Sequence, residues 1–546
     1  MKKLNRNCSC LNILLLFVVI VVMSSCSGEK KTNVSEGNKH QILHKGNSGE
    51  PQGLDPHVVT GVQEFNIIMA LLEGLVTENP RTLEPMPGMA KSWTISEDGK
   101  TYIFNMREGA KWSNGDPVTA HDFVYSWKRL LSAGLASEYA YQLFYLKNGE
   151  KYYNGEITDF NEVGVHAIDD MTLKVELKNP VPFFLSLLIH HSLYPVHKAT
   201  IEKFGKIDTR VSKWTRPGNF VGNGPFTLKK WELNKVIVVE KNPLYWNASI
   251  VKLNEIHFYP IDEVQTEERM FRSGQLHITE IVPNEKVEVY KEKSPELIHI
   301  DPYMGTYYYM FNTLKKPLDD VRVRKALAMT IDRKQIVEKI TKAGQKPAYA
   351  FTPPNTMGFT PEAAIPYDIE AAKKLLAEAG YPDGKGFPVC ELLYNTDEAH
   401  RKIAVAIQQM WKKALNIDVT LINQDWKVYI DTTRIKDYYI ARAAWIGDYP
   451  DPNTFLDMWT SYSGNNHTGW ANKTYDSLIA KAAETMNRDE RYRLFQQAEQ
   501  MLVDEVPIVS IYTYTKFFLM RPEVKGWYPN IQDHHPYQYV YLEEDK

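Results

Sequence analysis

Cysteine is scarce in this chain: four occur in 546 residues, and only Cys390 lies beyond position 26. With no second thiol in the body of the sequence, no intramolecular disulfide is available, even in an oxidising compartment. Net charge is scarce too. A formal balance of −3 and a pI near 6.6 argue against the broad basic footprint that nucleic acid selects. After Gln41 no apolar stretch approaches the roughly 20 residues of a spanning helix. Catalytic signatures are missing as well: there is no GxxxxGK[ST] phosphate loop, no HExxH, no GxSxG elbow and no CxxC pair. These gaps disfavour an enzyme, and neither a metal nor a cofactor is expected.

What is present begins at the N-terminus. Lys2, Lys3 and Arg6 form a basic segment, and Leu11 to Met23 is almost wholly apolar. A run of that length is short for a membrane span but fits the core of a secretory signal. The chain is therefore read as exported. Met23-Ser24-Ser25-Cys26 resembles a bacterial lipobox, in which the cysteine is lipidated and becomes the new N-terminus; Met23 departs from the usual Leu. Ordinary cleavage after Ser27 is the alternative, since Ser25 and Ser27 satisfy the small-x-small rule. Cys8 and Cys10 fall in the part removed. Ser27 to Asn38 is polar and rich in Lys, Glu, Ser and Gly, which predicts a tether over 26–40.

Roughly 500 further residues exceed what one core holds, so two or three domains are expected. Their order is mixed α/β without a repeat. Alternating stretches at Tyr102 to Met106 and Leu173 to Leu177 predict half-buried strands. Helical spacing runs over Val321 to Lys342, over Asp368 to Ala379 with Gly380, Pro382 and Gly384 as a stop, and over Arg488 to Val503. The 32 Tyr and 12 Trp are compatible with a roomy binding cleft or with Tyr as core filler. His190-His191 and His534-His535 are the adjacent histidine pairs; on a strand such neighbours face opposite ways, which is poor for chelation.

Longer motifs carry a resemblance. Ala90-Lys91-Ser92-Trp93, Asp98 to Tyr102 and the block Arg107-Glu108-Gly109-Ala110-Lys111-Trp112-Ser113-Asn114-Gly115-Asp116 running on to Val124 look like the signature of the peptide/nickel-type extracytoplasmic solute-binding proteins of ABC importers. Asn223 to Phe226, Asn242 to Trp246, Asp320 to Leu327 and Leu376 to Tyr381 follow in the family's order. Asp301 to Tyr309 and Ala441 to Tyr449 are most similar to the oligopeptide-binding group.

That resemblance implies a two-lobed α/β binding protein with an extra third domain and a hinge between lobes. Residues 41–72, 199–304 and 513–546 are expected to build lobe I, 73–198 the extra domain II, and 305–512 lobe III. It implies capture of short peptides in a closing cleft and delivery to a membrane permease and its ATPase. A monomer is expected, held by lipid on Cys26 in the periplasm or on the outer face of the cell membrane. A murein-peptide or other solute binder is the alternative, and an exported hydrolase a further one. Residue by residue, Asp448 matches the group that pairs with a peptide's α-ammonium. Trp445 and Trp426 match pocket aromatics, Tyr139 matches a tyrosine that helps hold the N-terminus, and Arg442 and His400 match groups that can neutralise the C-terminal carboxylate of short peptides. A buried cation needs such a fixed counter-charge to recover its desolvation cost. Departures are Gly305 and Ile446, where the enteric form carries a cysteine pair, Thr341 beside Lys342 for a lysine, and Thr60 for an acidic pocket residue.

Overall fold

The structure, a computed structural model, describes residues 32–543. Cys26 and the signal segment lie outside the described residues. The tether expectation fails over its second half: Asn33–His40 is an α-helix. Thr32 caps it, with Thr32 and Ser35 exchanging side-chain-to-backbone bonds, and Val34, Gly37 and Asn38 are buried. Composition counts apolar content and misses a capped helix stabilised by docking on a preformed surface.

Three larger sheets organise the chain. The first orders Ile42–Gly46, Glu255–Tyr259, Val236–Lys241 and Phe226–Glu232, with only the first pair parallel. The second is the antiparallel set Ala90–Ile95, Thr101–Met106, Thr172–Glu176 and Val165–Asp169. In it Tyr102, Phe104 and Met106 point inward at period two, as the alternating pattern requires. The third has six strands in the order Lys346–Pro347, Ile508–Leu519, Ile298–Phe311, Ile440–Ile446, Cys390–Asn395 and Val419–Gln424.

Two strands of the third sheet are far longer than the usual five or six residues. Ile298–Phe311 and Ile508–Leu519 pair antiparallel through two register shifts, one between Pro302 and Thr306. One half of the pair borders Ile440–Ile446, while at the other end Met520 bridges Ile278, which bridges Lys45 of the first sheet. This ribbon therefore connects the first and third sheets. Gly305 sits opposite Ile446 in register, so the positions of the enteric cysteine pair are neighbours here; a Cβ on Gly305 would strike the Ile446 side chain.

The helical spacing over Val321 to Lys342 is not one helix. It divides into Val321–Met329, then Arg333–Ile336 capped by Asp332, then a π turn over Val337–Thr341. Thr330 bonds back to the carbonyls of Ala326 and Leu327, and Asp332 starts the next turn. Ile369–Glu378 and Arg488–Glu505 form as the spacing predicts.

One buried ion pair ties the loop after strand Ile42–Gly46 to helix Ala120–Leu130. Arg129, 0% exposed, donates to both oxygens of Asp55 at 2.9 and 2.6 Å. Removing one partner of a buried pair costs about 3–5 kcal/mol. Asp55→Ala is expected to lower unfolding stability by that amount, read by urea denaturation. Burial acts upward on Asp55, but Arg129 outweighs it and holds the carboxyl below its ordinary range. The contribution is thus present at neutral pH and is lost as pH falls through that depressed pKa.

Candidate functional site

A cavity of about 480 Å³, within the size range of ligand pockets, is lined by segments 48–66, 139–191, 261–310 and 395–534. Asp448, Trp445, Tyr139, Arg442, His400 and Trp426 all line it. Thr60 lines it too, whereas Thr341, which ends the π turn, and Lys342, which caps it, do not.

At one end stands Asp448, placed where the chain leaves strand Ile440–Ile446 and its amide donates to Thr454 Oγ1 at 2.8 Å. Its side chain is 8% exposed. Gln142 Nε2 donates to Oδ2 at 3.2 Å, His190 Nε2 lies 3.3 Å from Oδ1, and the Tyr139 hydroxyl also bonds to the carboxyl. Burial pushes Asp448 up to about 8, although the nearby His534 acts downward. His190 is driven down to about 3 by burial, so it stands neutral. His534 is held above its ordinary value because Glu78, 2.8 Å from Nδ1, outweighs burial. A carboxyl so deprived of water and of close cations is stabilised in its charged form by an incoming ammonium.

The histidine pairs were read as strand neighbours facing opposite ways, and the structure corrects this. His190 caps a 3-10 turn that begins at His191, their rings lie 4.2 Å apart, and His534 sits in an irregular loop. Three of these four imidazoles, His190, His191 and His534, line the cavity.

Arg442 occupies the other end, on strand Ile440–Ile446 and six positions before Asp448. Its Nη1 donates to Asn395 at 3.1 Å, its Nη2 to the Tyr514 hydroxyl at 2.8 Å, and its Cζ lies 4.6 Å from the centre of the Tyr307 ring. Nε has no partner, and among the described residues no carboxylate pairs with this buried guanidinium. His400 is beside it, but burial and then Arg442 lower its pKa to about 3. His400 is therefore a neutral hydrogen-bonding group here, and the positive charge is that of Arg442 alone.

Between the ends, Trp445 donates its indole N–H to the Thr454 carbonyl at 2.7 Å, and Trp426 opens helix Trp426–Arg434 and stacks on Tyr429 at 5.9 Å. Lys516, on the long ribbon, pairs with Glu280 and, at 2.8 Å, with Asp533; Lys45 reaches Glu280 at 2.5 Å. Sequence reasoning missed this node and Gln142. The spacing between Gln142 and Asp448 is 306 residues, and no local pattern joins them.

Residues 84–467 match the profile of the bacterial extracellular solute-binding proteins, family 5 Middle. The chain is 42% identical over 498 residues to the periplasmic oligopeptide-binding protein OppA of Escherichia coli, covering 89% of this chain and 90% of that one. Its structure is similar to Haemophilus influenzae OppA in complex with the peptide RPPGFSPFR, with a TM-score of 0.87 at 38% identity, covering 92% and 99% of the two chains. Against the unliganded open form of the periplasmic murein tripeptide-binding protein MppA the identity is 39% over 92% and 98%, yet the TM-score is only 0.62. At nearly the same identity, this structure superposes better on the peptide complex than on the unliganded open form.

Proposed function

Because this chain belongs to the bacterial extracellular solute-binding proteins of family 5, we propose that it captures short peptides in a closing cleft and hands them to an ABC permease. The observation that carries this reading is the pair of ends: Asp448 and Arg442 face one cavity, each buried without a close opposite charge. A zwitterion supplies both counter-charges at once. Six residues of extended chain span at most about 20 Å, so a peptide of a few residues fits between them once the Arg442 side chain reaches inward. Asp448 holds the α-ammonium with Tyr139 beside it, Arg442 with His400 receives the carboxylate, and Trp445 and Trp426 flank side-chain pockets. Longer peptides leave Arg442 unpaired and rely on the amino end.

The lobes are 41–72 with 199–304 and 513–546, and 305–512, with 73–198 as the extra domain. The ribbon of Ile298–Phe311 and Ile508–Leu519 supplies the hinge. Closure needs no catalysis: it buries the ligand and presents one shape for the permease to read. A murein tripeptide is the second reading, favoured by the MppA relative; it also brings a free amine. Mass spectrometry of ligands that copurify with the protein separates the two, and intact peptide after incubation, rather than fragments, sets both apart from a hydrolase. Saturating peptide is expected to shrink the radius of gyration in small-angle scattering and to raise the melting temperature. An unchanged radius with binding shown independently sinks closure as the mechanism.

The protein works outside the cytoplasm, anchored by lipid on Cys26. Among the described residues no helix is long and apolar enough to cross a membrane. Intact protein is expected to partition with membranes, and Cys26→Ala to release it or leave it unprocessed. Fully soluble wild-type protein beginning at Gly28 would show cleavage after Ser27 instead.

A further inference from the structure

A second cavity, about 260 Å³, lies apart from the cleft between segments 141–181 and 457–484. Four rings line it, those of Tyr141, Phe144, Tyr145 and Tyr462, the second and fourth with centroids 6.1 Å apart. Its charged lining residues are four carboxyls, Glu150, Asp457, Asp476 and Glu484, against the single ammonium of Lys178. Lys178 already lies 3.5 Å from Glu150, Asp476 accepts from Ser461, and Glu484 accepts from Asn179 at 2.5 Å.

Asp457 differs from the rest. It is 4% exposed, and its Oδ2 accepts from the Tyr449 hydroxyl at 3.1 Å and from Asn453 Nδ2 at 3.0 Å. The Met458 amide also bonds to the carboxyl, no side chain reaches Oδ1, and among the described residues no cation pairs with the group. A buried carboxyl with no counter-charge is a cost unless something arrives to meet it. Burial, and then Asp448, hold it well above the carboxylate range, a shift that an arriving positive charge opposes.

The walls decide what kind of positive charge. Ring faces carry negative quadrupole density and attract soft, weakly hydrated ammonium groups, which is how aromatic cages bind quaternary amines. A hard cation such as calcium needs six to eight oxygens, and here much of the lining is ring surface. The volume is below the roughly 300–1,000 Å³ of drug-sized sites, which favours a small guest. We propose that this cavity is a second binding site, taking an alkylammonium ion no larger than choline, with Asp457 as its counter-ion and the four rings as its cage. It lies on the seam that Tyr145 and Asn453 bridge at 3.0 Å, so its guest touches both walls.

The test uses the whole mature protein saturated with peptide, which keeps the probe out of the cleft, and repeats it on Asp448→Ala. Calorimetry with choline, against sodium chloride at equal ionic strength and against the neutral isostere 3,3-dimethyl-1-butanol, is expected to give saturable one-site binding for choline alone. Asp457→Asn and Tyr462→Ala should each weaken it at least tenfold. Tyr462 is 41% exposed, so its truncation spares the core if Asp457→Asn disturbs folding. Absence of choline binding, equal binding of the neutral isostere, or choline binding undiminished in both variants overturns the proposal. None of these outcomes depends on how the large cleft binds peptide.

Discussion

Asp448→Ala is expected to weaken peptide binding by a factor on the order of 30 to several thousand while leaving the fold intact. Truncating one member of a buried, hydrogen-bonded charge pair costs about 2–5 kcal/mol, and each 1.4 kcal/mol is roughly tenfold. Here the loss falls on the peptide's ammonium, because the remaining neighbours offer little: Tyr139 and Gln142 are neutral, and His534 leans toward its charged form. Acetylating the peptide N-terminus should do comparable damage to the wild type and little more to the variant. Calorimetry on the four combinations forms a double-mutant cycle. Additive losses would show that carboxylate and amine do not meet.

The second large effect is on the empty cleft. In the closed, ligand-free protein burial pushes Asp448 up to about 8; opened to water it returns to roughly 3.9. Closing without ligand therefore takes up a proton between these values. A group whose pKa is raised in the closed state favours that state in acid, and the benefit is lost as pH rises through 8. His534, also raised, acts in the same direction above its ordinary value. Asp262, raised by burial and then by Asp425, does so at lower pH. The buried His190, His191 and His400 oppose them below about 6.5, because each gains a proton only when the cleft opens. Lys516, Glu280 and Asp533 are paired with one another. The ligand-free closed fraction should thus peak near pH 6.5 and fall about tenfold per unit, or more steeply, up to pH 8. Single-molecule distance measurements across the lobes would follow it. A closed fraction that does not change over that range would mean that Asp448 stays ionised in the dark of the closed cleft, and Asp448→Asn should remove its share of the slope.

The six side chains expected at the site converge on one cavity, yet none announces itself locally. Asp448 reads as a turn residue before Tyr449-Pro450, and only long motifs in order single it out. Strand and helix patterns with a clear period survive in the structure: Thr101–Met106 and Ile369–Glu378 show the burial that their sequences imply. What period alone could not supply were breaks and long-range partners. The interruption after Met329 is set by Thr330 and Asp332, whose capping chemistry outweighs continuing apolar spacing. Gln142 reaches Asp448, and Lys516 reaches Glu280 and Asp533, only because three sheets are brought together. His190 and His191 were misread because adjacency on a strand was assumed where a 3-10 turn swings both rings to one side.

The docked helix Asn33–His40 changes how the receptor can search. Its Val34 amide bonds to the Gly274 carbonyl, and Gln41 Nε2 bonds to the Leu542 carbonyl at 2.7 Å, so the helix is part of the body rather than of the leash. The described body of the protein thus begins at Thr32, six positions after Cys26. If the proposed lipid sits on Cys26, six residues of chain reach at most about 20 Å, and lengthening that stretch by inserting a Gly-Ser run is then expected to slow delivery without altering peptide affinity.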